Sequence, residues 1–182
     1  MNLNELMETV PAYARDLKLN LFALMQQTEL TPQQMWGTVV ASAIASRNEE
    51  LTQALLAEAG AHLSVQALDA AKGAAAIMGM NNVYYRFLHL TSNANYKTMP
   101  ARLRMQIIRS HGVEAADFEL WCAAVSAING CATCLDAHEK VVREKGLSEE
   151  SVLAAVRLAA VVHGLATVLD AERVSDKQAV TA

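Results

Sequence analysis

Glu119-Leu-Trp-Cys-Ala-Ala-Val-Ser-Ala-Ile-Asn-Gly-Cys-Ala-Thr-Cys-Leu-Asp-Ala-His138 is the stretch on which the rest of the chain depends. Asn129-Gly130 is a helix-stopping pair, so one helix ends before it and Cys131 opens the next. Helical residues advance by roughly 100° each. Cys131, Cys134 and His138 then stand at i, i+3 and i+7 on one helix face. Helical Cα atoms three residues apart are about 5 Å from one another, a span that a disulfide can bridge. Two thiols with a base one turn further on form, in outline, a redox-active dithiol.

Composition sets the frame around that helix. Of 182 residues, 53% are apolar and only 5% aromatic, the excess being Ala, Leu, Val and Met. Apart from Val these are strong helix formers, so an all-α helical bundle with close helix contacts is expected. The net charge of −4 and the lack of any basic run give no electrostatic reason to expect a nucleic-acid partner. Three cysteines are too few for a secreted disulfide scaffold. The polar, early-acidic start Met1-Asn2-Leu3-Asn4-Glu5-Leu6 has no apolar core, so no signal peptide and a cytoplasmic protein are expected. The most membrane-like run, Val152 to Leu169, is interrupted by Arg157 and His163 and weakened by Gly164. It reads as a core or subunit-interface helix, with no membrane partner.

Along the chain, Leu3 to Val10 is a short helix stopped by Pro11, and Leu17, Leu21, Leu24 and Met25 recur at helical spacing after Tyr13. Thr31-Pro32-Gln33-Gln34 combines a cap, a proline at the first helical position and a capping box. That helix runs to about Arg47, and Asn48-Glu49-Glu50 starts another. Ser64 caps a long helix reaching about Leu90. Thr91 to Pro100 is irregular, and Pro100 is expected to start a short helix through Ile107 and Ile108. Asp117 is expected to cap the helix that carries Glu119, Trp121 and Val125. The cysteine helix stops at Gly146, Ser148 starts the last long helix, and the tail after Asp170 is expected to fray.

An internal repeat appears at an offset of 84 residues. Ser42-Ala43-Ile44 matches Ser126-Ala127-Ile128, Leu51 matches Leu135, and Leu63-Ser64 matches Leu147-Ser148. Ala70-Ala71 and Ala75-Ala76 match Ala154-Ala155 and Ala159-Ala160. The expectation is a single domain over 1–182 built of two similar helical units, about 31–91 and 115–170. In the first unit Arg47, Glu50 and Ala54 stand where the second has Cys131, Cys134 and His138, so the chemistry belongs to the second unit.

A thiolate, not a thiol, attacks a peroxide oxygen or a disulfide. Two devices to raise the thiolate fraction are available, and they favour different cysteines. The helix N-terminus favours Cys131; the His138 imidazole, at i+4, favours Cys134. Glu119, on the preceding helix, is a candidate to orient that imidazole. A sulfenic acid on either sulfur would condense with the other to a disulfide. Metal binding fits poorly: zinc wants four ligands, no second C-x-x-C exists, and three ligands on one helix make bad tetrahedral geometry. Cys122 reads as a small core hydrophobe, His163 as structural, and Met78-Gly79-Met80 as packing. Asn81 and Asn82 could satisfy backbone groups near the site and receive no assigned role.

Glu119, eleven intervening residues, Cys131-x-x-Cys134, three more, then His138: this spacing resembles the signature of the carboxymuconolactone decarboxylase-like superfamily. Nearly the whole chain is similar to the bacterial alkylhydroperoxidase (alkyl hydroperoxide reductase D) family within it. Tyr13 to Asn20, Trp36-Gly37-Thr38, Gly73 to Asn82 and Leu103-Arg104-Met105 carry that similarity beyond the motif. The resemblance implies an all-α homotrimer that reduces alkyl hydroperoxides and holds no bound cofactor or metal. It implies a dihydrolipoyl group on a lipoylated dehydrogenase-complex component as electron donor. It also implies a peroxiredoxin partner reduced through a mixed disulfide at Cys134. By the same resemblance Cys134 becomes the sulfenic acid, Cys131 is proton donor and resolving thiol in a Cys131–Cys134 redox disulfide, and His138 and Glu119 relay the proton. One position departs: some relatives have a histidine where Thr133 stands. One rival uses the same dithiol, an adaptor that only passes electrons to a peroxiredoxin; a second is a decarboxylase-type or lactone-processing enzyme of the wider superfamily, whose activity would not need the two cysteines. A structural oligomer with a vestigial site is the third rival.

Overall fold

The computed structural model describes residues 1–180, and among these there are eight α-helices and no strand. The helices are α1 (Leu3–Glu8), α2 (Arg15–Leu24), α3 (Pro32–Ser46), α4 (Glu49–Ala59), α5 (Val65–Leu90), α6 (Ala115–Ile128), α7 (Ala132–Glu144) and α8 (Glu149–Val180). Local chemistry explains most of the starts. Thr31 accepts from the Gln34 N–H while the Gln34 side chain accepts from the Thr31 N–H, closing the capping box with Pro32 inside it. Such a cap contributes about 1 kcal/mol. Asn48 and Ser64 cap α4 and α5 through their side chains, and Ser148 accepts from the Ser151 N–H at the start of α8.

Helix α6 forms the middle of the bundle. Every residue from Asp117 to Ser126 is buried, so the helix is surrounded on all sides, with Asp117, Glu119 and Ser126 as its buried polar groups. Helices α3, α5, α7 and α8 surround it. Helix α3 crosses α6 closely at Gly37. Gly37 has no side chain there, and the Trp121 indole occupies the space a Cβ would take. The indole Nε1 donates to the Gln34 carbonyl at 3.2 Å. Trp121 and Phe118 are fully buried, each worth about 1.5–3 kcal/mol of apolar transfer.

Helix α8 is long and apolar enough to cross a bilayer by length and composition. It instead packs Ala154, Ala155, Leu158, Ala159, Val162, Leu165, Ala166 and Leu169 into the core, leaving Arg157 and His163 on the exposed face. The starts of α6, α7 and α8 lie within one residue of an 84-residue offset from those of α3, α4 and α5. Gln33 meets Asp117, and Gly37 meets Trp121, both pairs being 84 residues apart.

Three expectations are corrected. Asp117 does not cap α6. Glu114 is the cap residue and makes no side-chain cap bond, while Asp117 lies inside the first turn and accepts from Gln33 at 2.7 Å and Gln34 at 2.8 Å. A tertiary partner outcompetes the local one. Pro100 starts no helix: Arg102 adopts φ 51, a left-handed value that interrupts any helical run, and regular structure returns only as a 3-10 turn at Gln106–Arg109. The tail does not fray at Asp170, because α8 continues to Val180; residues 181–182 lie outside the described residues.

Candidate active site

Helices α6 and α7 are joined by a reversal of three residues. Asn129 is still right-handed, Gly130 takes φ 65, and Cys131 is extended at φ −100 and ψ 91 before α7 begins. Gly130 sits where a Cβ would be strained. Cys131 is therefore the N-cap of α7 rather than a member of its first turn, and Cys134 is the third helical residue. The Cys131 N–H donates back to Ser126 O at 3.1 Å, which closes the turn.

Helix α5 pins this reversal. Asn82 donates from Nδ2 to Ser126 Oγ at 3.0 Å and accepts from Asn129 Nδ2 at 2.9 Å. Arg86, one turn on, donates to the Asn129 carbonyl at 2.5 Å, at the negative end of α6. The sequence left Asn82 unassigned; its partners lie 44 and 47 residues away.

Cys131 and Cys134 are joined as a disulfide, with Cα atoms 5.3 Å apart between the N-cap and the third residue of α7. Both are buried, at 1% and 6% exposure. They differ in what they face. Cys134 lines a cavity of about 230 Å³ with Asn81, Tyr85, Met105, Ile108, Thr133, Ala137 and His138, whereas Cys131 is not part of its wall. The Cys134 Sγ lies 3.9 Å from the Asn81 carbonyl oxygen, an acceptor for a thiol once the pair is reduced.

His138 lies one turn beyond Cys134 and is held at both ring nitrogens. Nδ1 is 2.5 Å from Glu119 Oε2, and Nε2 is 3.1 Å from Met78 Sδ. With the Nδ1–H donated to the Glu119 carboxylate, Nε2 is the ring's basic position, and it faces the Met78 sulfur. Glu119 is buried in the second turn of α6, so it is a partner of the imidazole and not a first-turn dipole carboxylate. Among the described residues no hydrogen bond joins the His138 ring to either sulfur in this disulfide form. The structure thus assembles all four sequence-predicted residues at one place, as a disulfide beside a carboxylate–imidazole pair.

Three residues enter that the motif did not reveal. Met78 touches His138, Ser126 and Asn82 through its sulfur, and Asn81 and Tyr85 line the cavity. They recur at i, i+3 and i+7 on α5, and the adjacent asparagines in an Ala-rich helix were the available signal. Met78 was expected to be packing only; it is fully buried but also contacts the imidazole. Cys122 is a free, fully buried core residue, and burial, then the nearby Glu119 charge, pushes its thiol well above the ordinary range. His163 lies away from the site, exposed, with Nδ1 3.3 Å from Ser46 Oγ. No cluster of three or more His, Cys, Asp or Glu suited to a metal occurs among the described residues.

Residues 94–177, which include α6, α7 and most of α8, match the model of the Carboxymuconolactone decarboxylase family. The chain is 62% identical to the alkyl hydroperoxide reductase AhpD of Acidobacterium capsulatum over the full length of both proteins. It is 60% identical to that of Solibacter usitatus, over 94% of this chain and 97% of the relative, and 61% identical to that of Koribacter versatilis, over 94% and 89%. The chain belongs to the alkyl hydroperoxide reductase AhpD family, as the resemblance of its motif implied.

Proposed function

We propose that the protein is a thiol-dependent peroxidase that reduces alkyl hydroperoxides at Cys134. The observation that carries this reading is that Cys134, and not Cys131, lines the cavity shared with His138. The names of the AhpD relatives support a peroxide as the substrate. In the reduced protein the Cys134 thiolate attacks the terminal oxygen of ROOH. An S–O bond forms, the O–O bond breaks, and the sulfur is oxidised to sulfenic acid. The alkoxide leaves with the Cys131 proton. The Cys131 thiolate then attacks the sulfenic sulfur; the S–S bond forms and hydroxide leaves, protonated, as water. Two thiols and ROOH become a disulfide, ROH and water.

His138 takes the Cys134 proton at Nε2 while Glu119 holds the ring through Nδ1, the same division of labour as base and orienter in nucleophilic enzymes. The electron donor in this reading is a dihydrolipoyl group on a lipoylated dehydrogenase-complex component, which reopens the disulfide by thiol exchange. A peroxiredoxin is the second partner, reduced through a mixed disulfide at Cys134. The working form is a cytoplasmic homotrimer. An exposed apolar groove along Met80, Val83, Phe87 and Leu103 supports association. The domain is two like helical units in one fold, with the thiols confined to the second; the 84-residue spacing of the helix starts supports this.

The test is consumption of cumene hydroperoxide by the purified protein with dihydrolipoamide, recycled by lipoamide dehydrogenase. Turnover that vanishes in Cys134→Ser is expected. A wild type whose thiols cycle normally without consuming peroxide would replace this reading with the adaptor. Activity on a lactone or carboxylate that survives Cys131→Ser, Cys134→Ser would replace it with the decarboxylase class.

A further inference from the structure

On α5 the side chains facing α7 and the end of α6 follow one stripe: Met78, Asn81, Asn82 and Tyr85. Asn82 has both ends of its carboxamide in use. Asn81 has not. It is 96% buried, since its exposure is 4%, and it lines the Cys134 cavity. Its Oδ1 is one of three buried side-chain polar atoms without a partner among the described residues, and its side chain makes no hydrogen bond there. Buried polar groups are nearly always bonded, and leaving one unpaired costs about 1–3 kcal/mol. The backbone of the same residue sits 3.9 Å from the Cys134 sulfur. Asn81 therefore sets its carbonyl oxygen beside the reactive atom and forms part of the wall of the space a substrate would enter, with its carboxamide oxygen enclosed and unpaired.

We infer that the Asn81 carboxamide binds the –O–OH group of the hydroperoxide and orients it for attack by Cys134, an inference that rests on the peroxidase reading above. The match is chemical. A hydroperoxide presents a donor, the terminal O–H, next to an acceptor, the inner oxygen. A primary carboxamide presents an acceptor and a donor on one carbon. Turned toward the cavity from its enclosed position, the carboxamide accepts the terminal O–H at Oδ1 and donates from Nδ2 to the inner oxygen. As the Cys134 sulfur bonds to the terminal oxygen and the O–O bond breaks, negative charge gathers on the inner oxygen. The Nδ2–H bond strengthens at that moment, so it favours the transition state over the bound substrate. Asn81 neither gives nor takes a proton; the alkoxide is still protonated from Cys131. Met105, Ile108 and Ala137 supply the apolar wall for the organic group. His138 serves the Cys134 proton, Thr133 is exposed and Tyr85 is half-buried, so apart from Cys134 itself Asn81 is the one fully buried polar residue among those lining the cavity.

The experiment compares wild type, Asn81→Leu and Asn81→Ala after full reduction. Thiol loss is followed with tert-butyl hydroperoxide in excess, and separately with iodoacetamide, which needs the same thiolate but no –O–OH recognition. In the variants the rate constant with hydroperoxide should fall on the order of 10- to 100-fold. The iodoacetamide rate should stay within about twofold of wild type, because a purely structural effect would lower both reactions together. Asn81→Leu should unfold at no lower temperature than wild type, since it removes an unpaired buried polar atom; Asn81→Ala provides the comparison if Leu is too large. Hydroperoxide oxidation of the variants at the wild-type rate, or equal loss in both reactions, overturns the inference and leaves the peroxidase intact. A wild type that hydroperoxide does not oxidise removes both.

Discussion

Glu119→Gln tests whether the buried carboxylate holds the imidazole for its work. The 2.5 Å contact between Glu119 Oε2 and His138 Nδ1 joins two side chains that are each 12% exposed. A hydrogen bond to a charged group in such a place contributes about 1.5–3 kcal/mol, against about 0.5–1.5 kcal/mol for a neutral one. Glutamine keeps the shape and loses the charge, so the expected loss is about 1–2 kcal/mol, or roughly 5- to 30-fold in rate. A second effect acts in the same direction. The glutamine amide can donate to Nδ1, which puts the ring proton on Nε2 and removes the free basic position. The assay is single-turnover oxidation of the reduced protein by cumene hydroperoxide, with thermal unfolding measured alongside to confirm the fold. In a His138→Ala background, Glu119→Gln should add almost nothing, because the two act as a unit. Wild-type oxidation by Glu119→Gln, or losses that simply add in the double variant, would refute the reasoning.

Cys131→Ser should leave Cys134 oxidisable but unable to close the disulfide, so a sulfenic acid trappable by dimedone accumulates; absence of the adduct in mass spectrometry would reverse the roles of the two cysteines. Gly37→Ala should destabilise the protein by about 1–3 kcal/mol, since a new Cβ meets the buried Trp121 indole and overpacking outweighs the gain in helix propensity. Denaturant unfolding is the check, and an increase in stability would contradict the crossing geometry. Cys122 sets a pH dependence. Its folded thiol is pushed up by burial, so below the ordinary thiol range of about 8.5 both states are protonated and it contributes nothing. Above that, the unfolded thiol ionises first, and stability falls with rising pH at up to about 1.4 kcal/mol per unit until the folded thiol also ionises. Unfolding of wild type and Cys122→Ala at several alkaline pH values should show the shallower decline in the variant.

Features controlled by residues three or four apart could be read from the sequence. The Thr31–Gln34 box, the Asn48 and Ser64 caps, and the Cys131–Cys134–His138 face depend on bonds or spacings inside one turn or two. Composition was enough for the helical class. Sequence similarity added the family, and with it Glu119, whose pairing with His138 spans 19 residues and has no local signature.

What remained was decided by contacts between helices distant in sequence. Asp117 looks like a cap in its own segment, yet Gln33 and Gln34 arrive from α3 and take both carboxylate oxygens. Met78 looks like packing and Asn81 has no assignable role in a long Ala-rich helix, because only the approach of α7 selects which side of α5 meets the disulfide. Spacing gives each cysteine its own activating device and does not choose between them; the cavity between α5, α7 and the Gln106–Arg109 turn distinguishes them by reaching Cys134 alone. The sequence by itself determined the helices and the reactive groups they carry, since those are governed by short-range bonding. Tertiary packing alone determined which sulfur faces the cavity and which polar groups surround it, since these depend on the faces that helices present to one another.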